Sequence, residues 1–255
     1  MKKIVIALIA ACAMCLLALA NRQTVYQDDG VYGTQGYAVE GMKVQLLFNS
    51  LDAGTWADTS GNGFNAVNNG GTASDGGMYC GGSDQGCYMN TSAGVYGGTS
   101  RVYSFWIKSW IDQVGIAECL MNYNLNTSDE MLTYPSGNII YHPFQYLPRI
   151  AWDPTLNVTN TGWHHVLYQI GGVGVVSGGT GGSAKVYLDS TNQSLVFTSP
   201  QLQFNSLIQG VPVSLMYSSV RANSGIKGYI DCFECWEGTN FTAAEVTNIY
   251  KLGRR

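Results

Sequence analysis

The chain has 255 residues, of which 45% are hydrophobic and only 12% are charged, and its formal net charge is −4. This length allows one large domain or two small ones. Because the charge is low and slightly negative, the composition gives no basis for a nucleic-acid-binding surface or for attraction to an anionic membrane. The 32 glycines and 16 tyrosines favour many short strands joined by tight turns.

The first twenty residues have the layout of a secretory signal peptide. Two lysines precede an apolar run over residues 4–17, and an A-x-A pattern at 18–20 is typical of a cleavage site. We expect cleavage after Ala20 and a product that is secreted or held at the cell surface. Two alternatives stay open, namely an uncleaved anchor, for which the run is short, and a lipoprotein with Cys12 as its lipidated N-terminus.

The remainder is interpreted as an N-terminal arm over residues 21–43 and one domain over residues 44–255. Strand candidates recur at short intervals through that domain, and many show the period-two alternation of a half-buried strand. They are Val44–Phe48, Gly77–Cys80, Cys87–Asn90, Arg101–Lys108, Ala117–Tyr123, Asn138–Tyr141, His164–Ile170, Lys185–Leu188, Gln193–Phe197, Val213–Tyr217 and Lys227–Trp236.

One helix is predicted, near the C-terminus. Thr242 and Glu245 have the spacing of a capping box, and Val246, Ile249 and Tyr250 follow at helical spacing. About a dozen strands with a single terminal helix indicate an all-β fold, a two-sheet antiparallel sandwich with jelly-roll connections.

Export would permit disulfides. Cys80 and Cys87 flank a glycine-rich segment that we interpret as a hairpin loop, and we predict a disulfide between them. Cys232 and Cys235 form a C-x-x-C, but neither the second ligand pair nor the helix start that a zinc or redox site needs accompanies it. Positions three apart on a strand face opposite sides, so we expect no bridge between these two, and either could instead pair with Cys119.

Eight segments carry a resemblance to a known family. They read L-L-F-N at 46–49, D-T-S-G-N-G-F-N-A at 58–66, Y-C-G-G-S-D-Q at 79–85, Y-S-F-W-I-K at 103–108, W-H-H-V at 163–166, K-V-Y-L-D at 185–189, G-Y-I-D at 228–231 and F-T-A-A-E-V at 241–246. In this order they resemble the laminin-G-like jelly-roll domains of the concanavalin A-like lectin/glucanase superfamily. The resemblance runs from about Val44 to the C-terminus and implies a sandwich that recognises a ligand.

The resemblance also implies one structural calcium ion near the turn after the first strand. Calcium takes about six to eight oxygen ligands, and the implied set is Asn49, Asp58, Asn62 and Asp231. Asn49 and Cys232 replace aspartates of the family pattern, which reduces the number of carboxylates. Asp58 and Asn62 would serve equally well as turn residues without a metal ion.

We predict that the protein is not an enzyme. Laminarinase-type glycoside hydrolases share the sandwich and use E-x-D-x-x-E on one strand, which is absent from the sequence. Asp231 and Glu234 are close in sequence but should face opposite sides of their strand. His165 matches a family position that packs against the sandwich, so we expect it to have a structural role.

Carbohydrate binding or adhesion is the predicted function, with a glycan or cell-surface polysaccharide as partner. Sugars are held on aromatic platforms beside planar polar groups. We expect Trp106 and Trp163 to lie in the core. We interpret the Tyr-, Pro- and Asn-rich segment from Asn122 to Trp152 as a long loop that forms the recognition surface. The predicted ligand-binding residues are Trp110, Tyr123, Tyr134, Tyr141 and Trp152.

Two alternatives belong to other functional classes. A structural, surface or viral-particle protein would use the sandwich for contacts with other protein subunits, and a degenerate glycoside hydrolase would need carboxylates that meet across a cleft. Aromatic rings exposed side by side would favour the carbohydrate-binding hypothesis, whereas strong self-association would favour the structural one.

Overall fold

A computed structural model describes residues 41–82, 84–90, 101–108, 118–122, 130–133, 139–142, 150–152, 162–171, 183–192, 195–197, 213–217, 225–238 and 240–254. The strands are β1 (Met42–Asp52), β2 (Thr55–Asp58), β3 (Ala66–Asn69), β4 (Thr72–Ser74), β5 (Gly77–Gly81), β6 (Gly86–Met89), β7 (Arg101–Lys108), β8 (Glu118–Asn122), β9 (Glu130–Thr133), β10 (Ile139–His142), β11 (Ile150–Trp152), β12 (Trp163–Gly171), β13 (Ser183–Leu188), β14 (Thr191–Asn192), β15 (Leu195–Phe197), β16 (Val213–Leu215) and β17 (Lys227–Glu237). The helix α1 is Ala243–Leu252.

Strand β17 is the centre of the first sheet. It pairs along one edge with β7, and along the other edge first with β5 and then with β1. Beyond β7 the sheet continues through β12, β13 and β14, and beyond β5 it continues to β4. All of these pairings are antiparallel, so β17 anchors both halves of the sheet.

The second sheet has the strand order β3-β6-β16-β8-β9-β10-β11-β15, again antiparallel throughout. Strand β2 links the two sheets because it pairs with both β1 and β3. The predicted all-β sandwich with one short C-terminal helix is therefore confirmed. No helix in the described part of the chain is long and apolar enough to cross a membrane.

The main core lies between the two sheets. Alternate residues of each strand turn inward, as Tyr103, Phe105 and Ile107 do on β7 and Val213 and Leu215 do on β16. These side chains are at most 1% exposed. The alternation that predicted β7 from the sequence therefore reports a real division between a core face and an outer face.

The outer face of the first sheet, which is turned away from the second sheet, carries a smaller apolar cluster under α1. Val246 and Ile249 of the helix are buried in this cluster with Trp236 of β17. Phe241, just before the helix, meets the Trp236 ring edge-on at 5.1 Å. The predicted capping box is confirmed, since Thr242 accepts a hydrogen bond from the Glu245 amide and donates its own amide hydrogen to the Glu245 carboxylate.

The predicted disulfide is not formed. Cys80 lies on β5 of the first sheet and Cys87 on β6 of the second, so the segment between them crosses from sheet to sheet instead of closing a hairpin. Both are buried free thiols. Burial raises the pKa of Cys80 to about 12 and raises that of Cys87 well above its usual range, with a smaller contribution from the Cys80 charge.

The interpretation of residues 122–152 as one long loop is wrong in part. Strands β9, β10 and β11 lie within it and extend the second sheet as an antiparallel meander from β8. Of these strands, β10 was predicted as the candidate Asn138–Tyr141, whereas β9 and β11, with four and three residues, were not. Strands this short give too few alternations to separate them clearly from turn segments.

Candidate ligand-binding site

Four side chains form a row across the outer face of the first sheet. Tyr79 on β5 is opposite Tyr229 on β17, Tyr229 is opposite Lys108 on β7, and Lys108 is opposite Trp163 on β12. Directly opposed residues of antiparallel strands project from the same face. Their neighbours Met78, Ile107 and Ile230 point into the core. We call Tyr79, Tyr229, Lys108 and Trp163 the aromatic row.

The rings of the aromatic row are close to one another and only partly buried. The centroids of Tyr79 and Tyr229 are 4.9 Å apart, and those of Tyr229 and Trp163 are 6.0 Å apart. The Lys108 ammonium lies 5.3 Å from the Tyr229 ring and 5.9 Å from the Trp163 ring. Both distances are within the range of cation–π attraction.

An exposed carboxylate borders the row. Asp75 lies in the turn between β4 and β5 and accepts hydrogen bonds from Lys108 Nζ at 2.6 Å and from Trp163 Nε1 at 3.3 Å. The hydrogen bond from Lys108 lowers the pKa of Asp75 below its usual value, with a smaller contribution from Trp163. The site thus combines aromatic faces with a cation and an anion at fixed positions.

Arg254, which follows α1, lies over the same row. Its guanidinium carbon is 3.6 Å from the centroid of the Trp163 ring. Its Nε donates to the carboxylate of the buried Asp231 at 3.1 Å, and its Nη2 donates to the backbone carbonyl of Asp75. The C-terminal end of the described chain is therefore held against the aromatic row.

Asp231 and Glu234 face the same side of β17, so the expectation that they face opposite sides is wrong. Asp231 is opposite Trp106 and Glu234 is opposite Ser104, two positions apart on β7. The cause is Cys232, whose φ of 48° marks a bulge where the register shifts. Sequence spacing alone does not reveal such an inserted residue.

Both carboxylates are buried and engaged. Asp231 is 0% exposed, and besides Arg254 it accepts the Cys232 amide hydrogen at 2.7 Å. Glu234 is 1% exposed and accepts a hydrogen bond from Gln45 Nε2 at 2.8 Å. Burial raises the pKa of Asp231 to about 6, against the opposing effects of the Arg254 charge and the Cys232 amide. Neither carboxylate is open to a substrate from solvent.

A buried polar contact lies between the row and the apolar cluster under α1. His165 is 0% exposed, and its Nε2 is 2.9 Å from the Ser104 hydroxyl. Trp106 stacks on Tyr250 of the helix at 5.7 Å and is tilted against His165 at 5.2 Å. This burial under the helix accords with the structural role expected of His165.

The expectation that Trp106 and Trp163 lie in the core is wrong. Both are half-buried on the outer face, whereas Phe105 and Ile107 on the same strand as Trp106 fill the core. A sequence signal did exist, because Trp106 shares its alternation with Ser104 and Lys108. Tyr79, Tyr229 and Arg254 were not predicted as site residues.

Of the four predicted calcium ligands, Asp58 and Asn62 lie in one turn, where both bond to Ser60. Asp58 accepts hydrogen bonds from the amides of Gln45, Ser60 and Phe64 and from the Ser60 hydroxyl, all within 3.0 Å. Asn62 is joined to it through Ser60, donating to that hydroxyl at 3.1 Å.

The other two predicted ligands lie elsewhere. Asn49 is an exposed residue of β1, and Asp231 is paired with Arg254 on the outer face. Within the described residues, no three or more His, Cys, Asp or Glu side chains form a group that could hold a metal ion. A carboxylate has about four lone-pair positions, so four donors satisfy Asp58 as a turn residue.

The predicted glycan-binding residues are described only in part. Trp110, Tyr123 and Tyr134 lie outside the described residues, as do the predicted signal peptide and most of the predicted N-terminal arm. Tyr141 is on β10 with its backbone opposite Ile150, and Trp152 is on β11 opposite Leu195. Their role in binding stays a prediction.

No protein-family model matches the sequence, and no curated protein matches it. The laminin-G-like resemblance therefore stays a prediction at the level of the family, while the antiparallel sandwich itself is established by the strand pairing.

Solved structures with a similar fold do exist. Domain 4 of AbnA, a GH43 extracellular arabinanase from Geobacillus stearothermophilus in complex with arabinotriose, is 15% identical, with 82% of this chain and 98% of that one covered and a TM-score of 0.55. A sialidase from Trypanosoma rangeli is 11% identical with a TM-score of 0.61 and 96% of this chain covered. The binding domain of Paraclostridial Mosquitocidal Protein 1 is 14% identical with a TM-score of 0.54 and 83% of this chain covered.

The chain spans 39% of the length of the sialidase and 52% of that of the mosquitocidal binding domain. At these identities the likeness shows a common fold and carries no residue roles. The protein thus has a β-sandwich fold that it shares with a domain of an arabinanase, part of a sialidase and part of a binding domain.

Proposed function

We propose that this protein is an exported recognition module that binds carbohydrate at the aromatic row on the outer face of its first sheet. The observation that carries the proposal is the alignment of Tyr79, Tyr229 and Trp163 across neighbouring strands, with Lys108 and Asp75 beside them. Aromatic rings provide stacking surfaces for the apolar faces of sugars, and fixed polar groups orient the hydroxyls.

The extent of the row supports an oligosaccharide as ligand. From Tyr79 to Trp163 the row crosses four adjacent strands, β5, β17, β7 and β12. Neighbouring strands are about 4.8 Å apart, so the row is about 14 Å long. A platform of that length suits a short chain of sugar rings better than a single small molecule.

The similar folds give independent, coarser support. The arabinanase domain was solved with arabinotriose bound, another of the structures is a sialidase, and a third is named as a binding domain. The signal-peptide pattern at the N-terminus supports export. We therefore propose a glycan outside the cell or on a cell surface as the partner.

The proposal is tested by glycan-array binding of the mature chain, with the variants Trp163→Ala and Tyr229→Ala. We expect each substitution to weaken binding at least about tenfold, because each removes an aromatic contact of the row. Tyr88→Ala is the matched control, since Tyr88 is a half-buried tyrosine whose neighbours on β6 are core residues of the second sheet. Equal loss in the control, or no loss in either row variant, would contradict the proposal.

The same array decides between the row and the segment from Asn122 to Trp152. Trp152→Ala and Tyr123→Ala should leave binding intact if the row is the site, and should abolish it if the predicted segment is. Absence of binding to every glycan together with stable self-assembly would favour a structural protein. Release of shorter sugars from a bound polysaccharide would favour a hydrolase.

A further inference from the structure

Arg254 is brought back over the sheet by the end of α1. Gly253 follows the helix with a φ of 71°, a left-handed conformation that favours glycine, and its amide donates to the Tyr250 carbonyl at 3.0 Å. The next side chain is thereby directed toward Trp163 and away from bulk solvent, so that the Arg254 side chain is only 25% exposed.

The guanidinium is fixed from three sides. It covers the Trp163 ring at 3.6 Å, bonds the buried Asp231 carboxylate, and donates to the backbone carbonyl of Asp75. The guanidinium lies close to the turn at Gly76, where a Cβ atom would be 2.8 Å from Arg254 Nη2. Holding a long arginine side chain in one conformation costs conformational entropy, which these three contacts offset.

We propose that Arg254 is an intramolecular occupant of the sugar-stacking face of Trp163, which a glycan must displace in order to bind. The inference rests on the proposed carbohydrate function of the aromatic row. A planar guanidinium stacks on an indole much as a sugar ring does, so the two compete for one surface. In the structure, the Arg254 guanidinium occupies this face of Trp163.

If Arg254 covers Trp163, the apparent affinity for glycan equals the intrinsic affinity multiplied by the fraction of molecules in which the Trp163 ring is uncovered. A guanidinium stacked on tryptophan therefore reduces glycan affinity by about 3- to 30-fold. Among the described contacts, Arg254 stacks on Trp163 and not on Tyr79 or Tyr229. Displacement thus opens the Trp163 end of the row and leaves the tyrosine end unchanged.

The test compares Arg254→Ala with Lys251→Ala. Lys251 is an exposed residue in the last turn of α1, so its substitution removes the same charge from the same region without uncovering Trp163. Binding is measured by titration with arabinotriose and with sialic acid, and on the glycan array. We expect about 3- to 30-fold tighter binding for Arg254→Ala and no change for Lys251→Ala.

Two further measurements guard against other causes. The indole N–H signal of Trp163, assigned by its loss in Trp163→Phe, should shift and exchange faster with water in Arg254→Ala than in the wild type. Asp231→Asn weakens the anchor of Arg254 while keeping its size, and should tighten binding in the same direction by a smaller factor. Circular dichroism establishes that each variant is folded.

The outcomes separate the two proposals. If the wild type binds a glycan and Arg254→Ala binds it equally or more weakly, Arg254 is not a competitor and the inference is wrong, although the proposed function stands. If no glycan is bound by the wild type or by Arg254→Ala, the proposed function fails and the inference fails with it.

Discussion

Asp231 is a buried carboxylate whose charge partner, Arg254, is 23 residues away in the sequence. Its neighbours on the outer face also include Glu234, on the same side of β17 beyond the bulge. Because Asp231 is buried, water does little to stabilise its charged form, and the stabilising groups are the Arg254 guanidinium and the Cys232 amide. Burial is the larger effect, which is why the pKa of Asp231 is raised although a cation lies beside it.

Asp231 should make the free energy of unfolding depend on pH. The pKa of Asp231 rises from 3.8 in the unfolded state to about 6 in the folded state. Between these two pH values the folded protein keeps a proton on Asp231 that the unfolded protein has released. Stability should therefore fall as pH rises from about 4 to about 6.5, by up to about 3 kcal/mol from this group. Urea unfolding of wild type and Asp231→Asn across that range measures the difference.

The comparison with Asp231→Asn cancels the contributions of the other acids. We expect the wild type to lose stability relative to the variant as pH rises. A constant difference between the two proteins from pH 4 to 6.5 would show that Asp231 does not hold a proton in the folded state.

Asp58 organises the turn at residues 58–66, the second of the segments that carry the family resemblance. Because its carboxylate accepts four hydrogen bonds, Asp58→Ala should lower the free energy of unfolding by about 2–3 kcal/mol. Thermal unfolding measures this. The exposed Asp52 at the end of β1 offers a control, for which Asp52→Ala should change stability by less than about 0.5 kcal/mol.

The same variants test the calcium ion that the resemblance implies. If calcium binds at this turn, the wild-type Tm should be higher in excess calcium than in excess EDTA, and Asp58→Ala should lose that difference. Equal Tm values in the two solutions would contradict the ion and would leave Asp58 as a turn residue only.

Among the secondary-structure elements, the helix α1 covers the apolar cluster on the outer face and leads the chain to the aromatic row. Val246 and Ile249 cover the apolar cluster, Tyr250 stacks on Trp106, and the chain then reaches the aromatic row. The capping box that starts the helix was predictable because its two residues, Thr242 and Glu245, are only three positions apart. The surface on which the helix packs was not predictable from that local pattern.

Thr242→Ala should lower the free energy of unfolding by about 1 kcal/mol, because it leaves the Glu245 amide without its capping oxygen. Thr247→Ala is the matched control. Thr247 lies inside the helix and donates only to the Ala243 carbonyl of the preceding turn, so alanine there should be neutral or slightly stabilising. Chemical denaturation of both variants measures the contrast, and equal losses would show that the cap contributes nothing specific.

All strands of five or more residues were predicted from the sequence, whereas strands of up to four residues were predicted only in part. Arg101–Lys108 was predicted with the bounds that the structure has, because eight residues give four full alternations. Strands β2, β3, β4, β9, β11 and β14 were missed, and none exceeds four residues. Several of them pair with the strand that precedes or follows them in the chain, as β4 does with β5 and β14 does with β13, so their shortness and not distant pairing explains why they were missed.

At the scale of the whole molecule, the first sheet has two differently used faces. Its inner face makes the main core with the second sheet, and its outer face holds α1, the buried carboxylates and the aromatic row. Where both faces of the sheet are buried, a polar side chain is tolerated only if it is hydrogen-bonded or ion-paired. The paired carboxylates next to the row meet that condition.

The all-β fold class, the long strands and the C-terminal helix could be predicted from the amino-acid sequence, because period-two alternation and a capping box are local patterns. The N-terminal pattern also indicated export. The composition of the candidate site could not be predicted in this way. The aromatic row joins residues from four strands that span positions 79 to 229, and the bulge at Cys232 reversed the expected direction of Glu234. Register between distant strands depends on long-range packing, so no local pattern could reveal which side chains would meet.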